Sequence, residues 1–230
     1  MTTTAYVTRL LRKNYLTKDV LELMFEKPDG FEYRAGQFVQ WEIPSGDKSV
    51  FRSYSLSSSP EDHFLQFCLK LLPAGKASSL AASIAAGSEL RFHGPMGNFT
   101  NTQKRPLYFV ATSAGIAPII SIIRDELEHK KTEAEVRLLF GVRSEDDIFW
   151  QDRLEDLKSR FNNFTFHITL SQPKPDNGWG GLRGHVTNHI LHHLVNHNFY
   201  LCGNAAMVKD VRQALIKNSI SQEQIHFEIF

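Results

Sequence analysis

The sequence predicts a β plus α/β protein of two domains, an antiparallel β-barrel over residues 1–101 and a parallel-sheet α/β domain over residues 102–230. A change of rhythm near Thr100 predicts it. Before that point apolar residues fall in short strand-like runs broken by turn formers; beyond Thr102 such runs alternate with segments of helical spacing. Regularly spaced short strands suit a closed antiparallel barrel. Strand–helix alternation suits a parallel sheet covered on both faces.

In the first half Val20–Glu26, Phe38–Ile43 and Phe64–Lys70 read as strands, being rich in β-branched, aromatic or alternating apolar residues. Pro28-Asp29-Gly30, Pro44-Ser45-Gly46-Asp47 and Ser57-Ser58-Ser59-Pro60 punctuate them. Only Ala77–Ala86 looks helical there, and Thr100–Arg105 is the expected linker. In the second half Leu107–Ala111, Val136–Val142, Phe164–Leu170, Phe199–Cys202 and His226–Ile229 are the expected strands. The segments Ile116–His129, Ile148–Arg160, Val186–Val195 and Ala205–Lys217 are the expected helices. Ile148–Arg160 carries Asp152 and Glu155 early and Lys158 and Arg160 late, the charge order that a helix dipole favours.

Composition narrows the class. The 230 residues are 42% hydrophobic and 22% charged, values of an ordinary globular chain that argue against disorder or a fibre. With 26 basic and 25 acidic residues, no overall field draws the chain to nucleic acid or to an anionic membrane. Cys68 and Cys202 are the only cysteines. They are too few for an iron–sulfur cluster and too far apart for a Cys-x-x-Cys pair. Met1–Ala5 lacks the basic-then-apolar layout of a signal peptide. No apolar run reaches the roughly 18–20 residues of a membrane span. A cytoplasmic monomer is therefore expected.

Five short motifs can carry chemistry, and each also has a purely structural reading. In Arg52-Ser53-Tyr54-Ser55 a strand would put Arg52 and Tyr54 on one face and Ser55 on the other. A guanidinium can grip a phosphate and a phenol can stack on a flat heterocycle, but an exposed cross-strand pair needs neither. Ala74-Gly75-Lys76-Ala77-Ser78 opens the short helix, where free N–H groups make either an anion site or an ordinary cap. Gly94-Pro95-Met96-Gly97-Asn98-Phe99 is at least a tight turn. The stretch from Ala111 through Thr112, Ser113, Ala114, Gly115 and Ile116 to Pro118 follows a strand and opens a helix, the position of a nucleotide pyrophosphate in a parallel sheet, though with one glycine rather than three. Tyr200-Leu201-Cys202-Gly203-Asn204 is a second such strand end, and its thiol can equally be a small buried hydrophobe. His189, His192, His193 and His197 would share a face if Val186–Val195 were a helix, yet no acid or thiol joins them and no metal is expected.

In order, Arg-x-Tyr-Ser, Gly-x-x-Ser, Gly-Pro-x-Gly-x-Phe, Thr-x-x-Gly-Ile-Ala-Pro, Gly-Val-Arg, Cys-Gly and a terminal Glu-x-aromatic resemble the ferredoxin–NADP(+) reductase superfamily from about Gly36 to Phe230. The resemblance implies a flavin-binding barrel, a Rossmann-like NAD(P)-binding domain, and electron transfer between NADP(H) and a separate ferredoxin or flavodoxin. FAD is implied rather than FMN because no ferredoxin domain is appended, and NAD(H) stays open as the alternative nucleotide. Carried over residue by residue, Arg52 holds a flavin phosphate, Tyr54 packs on the isoalloxazine and Ser55 hydrogen-bonds near its N5. Gly75, Ala77 and Ser78 complete the flavin-side contacts, and Lys70 is a further cofactor-binding residue. Thr112, Gly115, Arg143 and Gly203 serve the nicotinamide nucleotide, while Cys202 and Glu228 stand near the reaction centre and Phe230 covers the flavin. Two departures stand out: Ser113 replaces the usual glycine, and the terminal aromatic is Phe230 rather than Tyr or Trp. The superfamily also holds NADH-dependent oxygenase reductases and flavin reductases, and a non-enzymatic flavin-binding paralogue is a further alternative.

Overall fold

A computed structural model describes residues 4–175, 178–191 and 194–230. Met1–Thr3 of the expected leaderless start and His192 and His193 of the histidine group lie outside the described residues.

The first sheet contains β1 (Ala5–Tyr15), β2 (Val20–Glu26), β3 (Phe38–Ser45), β4 (Lys48–Ser55), β5 (Phe64–Lys70) and β6 (Glu89–Met96), in the order β4-β3-β6-β1-β2-β5. Every pairing is antiparallel. Leu56 bridges Phe67, and the Ser57 N–H donates to the Gln66 carbonyl at 2.8 Å, which joins the two edge strands and closes the barrel. Closure removes the exposed edges of the sheet. Inside it Phe25, Trp41, Phe67 and Phe92 are fully buried, and the Trp41 and Phe67 rings meet edge to face at 5.2 Å. The helix α1 (Lys76–Ser83) covers one end and is shorter than the expected Ala77–Ala86.

The second sheet contains β7 (Leu107–Thr112), β8 (Val136–Val142), β9 (Phe164–Leu170), β10 (Leu182–Arg183), β11 (Asn198–Gly203) and β12 (Ile225–Ile229), all parallel, in the order β10-β9-β8-β7-β11-β12. Helices α2 (Ile116–Arg124) and α3 (Gln151–Arg160) cover one face and α4 (Ala205–Lys217) the other. The chain runs outward from β7 through β8 and β9, then returns to place β11 on the opposite side of β7. That reversal makes the β7/β11 ends a topological switch point, where a crevice opens at the carboxyl ends of the strands.

The outer faces of β2 and β5 dock on α2 and α3. Val20 and Cys68 belong to the same apolar cluster as Ile116, Ile120 and Trp150. Ionic contacts reinforce the junction, with Arg124 bidentate on Asp62 at 2.6 and 3.0 Å. No helix among the described residues is long and apolar enough to cross a membrane.

Two expectations need correction, and a third holds with a change of pitch. Helix α3 begins at Gln151, not Ile148, because Trp150 takes a left-handed φ of +59° while Phe149 and Trp150 are drawn into the core. Val186–Val195 is not a regular helix: a single 3₁₀ turn over Val186–His189 ends where Ile190 becomes extended. The two described histidines of the group therefore share no helix face; His189 Nε2 sits 2.9 Å from the Arg183 carbonyl and His197 Nε2 3.1 Å from Glu135. Finally, Ile116–His129 is helical throughout but changes at Asp125 from α to one π turn.

Candidate functional site

The two domains face each other across a crevice of about 920 Å³. Arg52, Tyr54, Ser55, Lys70 and Ser78 line it from the barrel, and Thr112, Gly115, Arg143, Gly203 and Phe230 from the parallel sheet. Ten of the residues singled out from sequence are thus brought together.

On the barrel wall, register pairs Arg52 with Trp41 and Tyr54 with Val39, so both project from one face of β4. The Tyr54 ring leans on Trp41 at 4.4 Å, and burial raises its phenol pKa. The exposed Arg52 donates to the neighbouring Phe51 carbonyl at 2.8 Å and forms no ion pair among the described residues, which leaves a cation at the crevice. Ser55 points the other way and is buried. Its hydroxyl makes no hydrogen bond of full geometry, but it approaches the Glu228 carboxyl closely enough to oppose the effect of burial on that group. An orphaned buried hydroxyl is rare in a native interior and marks a place for a ligand atom.

Gly75 is the N-cap of α1 without any side-chain cap. A Cβ there would stand 3.1 Å from Ser78 Oγ and 3.3 Å from the Leu72 carbonyl, so a side chain would fit only if the loop shifted by a few tenths of an ångström. Ser78 Oγ accepts from the Leu72 N–H at 2.8 Å and fixes that loop. Ala77 is buried in the barrel core, so only its backbone can serve the crevice.

On the sheet wall, Thr112 Oγ1 is also a buried hydroxyl without a partner, as are those of Ser55 and, away from the crevice, Ser59. A Cβ on Gly203 would collide with it, and one on Gly115 would collide with the Cys202 carbonyl. The two strand ends can approach only because both positions are glycine. Ser113 holds φ +51°, the left-handed conformation that glycine adopts without cost. Arg143 lies 3.7 Å from Asp19 and 4.0 Å from Asp147. Its neighbour Ser144 is committed to a capping box with Asp147 and does not line the crevice.

Cys202, Glu228, Gly75 and Ala77 do not line the crevice themselves. Cys202 is wholly buried beneath it, opposite Glu228 on the paired strands β11 and β12. Burial, with the Glu228 charge added, pushes the Cys202 thiol up and favours its neutral form. Burial likewise raises the Glu228 carboxyl from 4.5 to about 7. Phe230 donates its N–H to the Gly203 carbonyl at 3.1 Å while its ring stays 56% exposed at the crevice.

Sequence reading missed Cys68, Asp19 and the segment Gly184–Thr187, all of which line the crevice. Cys68 is hidden in an apolar strand that gives no sign of its outward face. The Gly184 segment did carry a signal, since Gly178, Gly180, Gly181 and Gly184 are the densest glycines in the chain. Gly184 uses a φ of +102°.

The partnerless hydroxyls of Ser55 and Thr112, the unpaired Arg52 and the glycine-only turns fit a flat heterocycle with phosphates on one wall and a dinucleotide on the other. Comparison with known proteins agrees. The oxidoreductase FAD-binding domain family matches residues 8–101, and the oxidoreductase NAD-binding domain family matches residues 109–213. A component of the Na(+)-translocating NADH-quinone reductase of Neisseria meningitidis is 28% identical, over 90% of this chain and 56% of its own length. The reductase component of propane 2-monooxygenase from Rhodococcus jostii is 30% identical, over 97% of this chain and 63% of its own. The chain thus spans little more than half the length of these curated relatives. The crystal structure of an Amycolatopsis cytochrome P450 reductase, GcoB, superposes with a TM-score of 0.88 at 26% identity, covering 100% of this chain and 71% of that one. A ferredoxin NADP+ reductase from Neisseria gonorrhoeae with bound FAD and NADP has the same fold, with a TM-score of 0.86 at 22% identity and 98% of each chain covered. With a flavin-domain family on the barrel, a nucleotide-domain family on the parallel sheet and a crevice between them, the chain belongs to the ferredoxin–NADP(+) reductase-like superfamily of FAD- and NAD(P)-binding oxidoreductases.

Proposed function

We propose that the protein moves electrons between NADP(H) and a separate one-electron carrier, a ferredoxin or flavodoxin, with residues 1–101 holding FAD and residues 102–230 the nucleotide. The observation that carries this reading is the crevice faced by Tyr54 and Ser55 on one wall and by Thr112, Gly115 and Gly203 on the other. A bound flavin supplies the chemistry, exchanging a hydride on one side and single electrons on the other. The chain supplies orientation. Arg52 and the α1 start, with Gly75, Ala77 and Ser78, hold the flavin phosphates, and Lys70 adds a cation on the side of the crevice nearer Arg143. Tyr54 stacks on the ring and the Ser55 hydroxyl donates to its polar edge. Thr112, Gly115 and Gly203 seat the pyrophosphate of the nucleotide, and Arg143 suits a 2′-phosphate, with NAD(H) the alternative. Cys202 backs the reaction centre from below, Glu228 holds a proton there near neutrality, and Phe230 shields the flavin from water.

The propane monooxygenase and P450 relatives favour a second reading, an NADH-dependent reductase component of an oxygenase. Anaerobic titration of the purified protein tests both. A yellow protein bleached by NADPH and reoxidised stoichiometrically by a ferredoxin or flavodoxin supports the first. Bleaching by NADH alone, with no reoxidation by either carrier, supports the second. A protein that binds no FAD overturns both.

A further inference from the structure

One carboxylate oxygen ties the two domains together across the mouth of the crevice. Asp19 lies in the turn between β1 and β2. Its Oδ2 stands 3.1 Å from Lys70 Nζ, at the end of β5, and 3.7 Å from Arg143 Nη2, just beyond β8. All three residues line the crevice. The turn holds the carboxylate in place: the Thr17 hydroxyl donates to Asp19 Oδ1 at 3.2 Å and accepts from the Val20 N–H at 3.1 Å. The Leu71 N–H donates to the Asp19 carbonyl at 2.7 Å, which clamps the turn to the end of β5. Asp147, fixed in its capping box, faces Arg143 from the other side at 4.0 Å. Two cations and two carboxylates therefore balance at the place where Lys70 and Arg143 could together grip a phosphate.

We propose that Asp19 is a specificity-determining residue, a built-in competitor that the 2′-phosphate of a nicotinamide dinucleotide must displace from Lys70 and Arg143. It thereby limits the preference for NADP(H) that Arg143 alone would give. Burial acts to raise the pKa of Asp19, but Lys70, Thr17 and Arg143 outweigh it and hold the group ionised below the ordinary carboxylate range. The competitor is thus charged throughout the neutral range. Lys70 and Arg143 are partly exposed, so the ion pairs are weak enough for a phosphate to replace. A dianionic monoester gains more from this exchange than a singly charged carboxylate does.

This inference rests on the crevice being a nicotinamide-nucleotide site, and its test separates the two. Calorimetry would compare adenosine 2′,5′-bisphosphate with 5′-AMP on the parent, Asp19→Asn, Arg143→Gln and the double variant, with FAD as a further titrant. Asp19→Asn should tighten the bisphosphate by about threefold to tenfold and change 5′-AMP by less than about twofold, the range set by two part-exposed ion pairs. The gain should vanish in the Arg143→Gln background. Equal gains on both nucleotides, a gain on FAD instead, or no gain in a folded variant overturns the role of Asp19. Asp19→Ser, which keeps an oxygen for Thr17, gives the same readout if the Asn variant folds poorly. Parent protein that bleaches with NAD(P)H yet shows no Asp19 effect refutes only this inference; parent that neither binds nor bleaches refutes the functional reading as well.

Discussion

The Trp150 indole N–H donates to Glu22 at 2.9 Å across the boundary between the two domains. Arg153 closes on the same carboxylate at 2.7 Å, and Glu22 is only 1% exposed. Its cross-strand partner is Cys68, which lines the crevice, so this junction lies directly behind one wall of the site. Removing Glu22 leaves the buried Trp150 indole N–H without its acceptor, at a cost of about 1–3 kcal/mol, while the part-exposed Arg153 stays solvated. Glu22→Ala should lower the urea midpoint accordingly, whereas Glu22→Gln, which still accepts from Trp150, should lose less. An unchanged midpoint in the Ala variant would show that the contact adds nothing to domain docking.

Ser113 stands where a glycine would be at ease. Its φ of +51° costs about 1–2 kcal/mol for a residue with a Cβ, partly offset by the greater chain entropy that glycine loses on folding. Ser113→Gly should raise the unfolding free energy by about 0.5–1 kcal/mol. It should also tighten nucleotide binding, since Ser113 lines the crevice beside Thr112. A variant that is less stable and binds no better would mean that the serine hydroxyl contributes more than its backbone strain removes.

Glu228 makes stability depend on pH in a stated direction. Burial raises its pKa from 4.5 to about 7. Between those values the folded chain holds a proton that the unfolded chain has released, so stability falls as pH rises through the window and levels off above it. After allowance for partial exposure, the loss is about 1–2 kcal/mol. Glu228→Gln mimics the protonated form and should flatten that part of the profile. Identical unfolding curves for parent and variant from pH 5 to pH 8, values chosen to bracket roughly this window, would remove Glu228 as the cause.

The elements that stood out in the sequence are those whose burial alternates or is continuous. Val136–Val142 is buried almost throughout, and Phe164–Leu170 alternates buried Phe164, Phe166, Ile168 and Leu170 with half-buried Thr165 and exposed His167. Strand β1 escaped notice because only Thr8 and Leu10 of its 11 residues are buried, and its exposed face carries Val7 and Leu11 among charges. Helix α3 was placed too early because Phe149 and Trp150 supply helical apolar spacing without helical backbone. The motif residues Arg52, Tyr54, Thr112 and Gly203 were legible because their chemistry is local. Asp19 was not, because its significance arises only when the β1–β2 turn meets the end of β8 in space.

Arg52 offers a direct test of the flavin side. Its guanidinium faces the crevice with no carboxylate partner among the described residues, so a phosphate meets no competitor there. Losing a charge-assisted contact of about 1.5–3 kcal/mol should weaken FAD at least roughly tenfold in Arg52→Ala. Undiminished FAD affinity in that variant, measured by fluorescence quenching, would take Arg52 out of the site.

Phe230 separates a packing residue from a gate. A ring that merely filled the domain junction would be buried, yet this one is 56% exposed and lines the crevice, held in place by its backbone contact to Gly203. Its removal should therefore leave unfolding almost unaffected, since little apolar surface is buried by it. The proposed site puts the ring over the flavin face that the nicotinamide must reach, so the two compete for one stacking position. Phe230→Ser removes the competitor. NADP(+) should bind more tightly, by about threefold or more if the ring contributes an aromatic stacking energy near 1 kcal/mol. A stronger long-wavelength charge-transfer band should appear, and turnover should slow as product release becomes harder. Unchanged nucleotide affinity with an unchanged flavin spectrum would leave Phe230 as a surface aromatic with no part in the reaction.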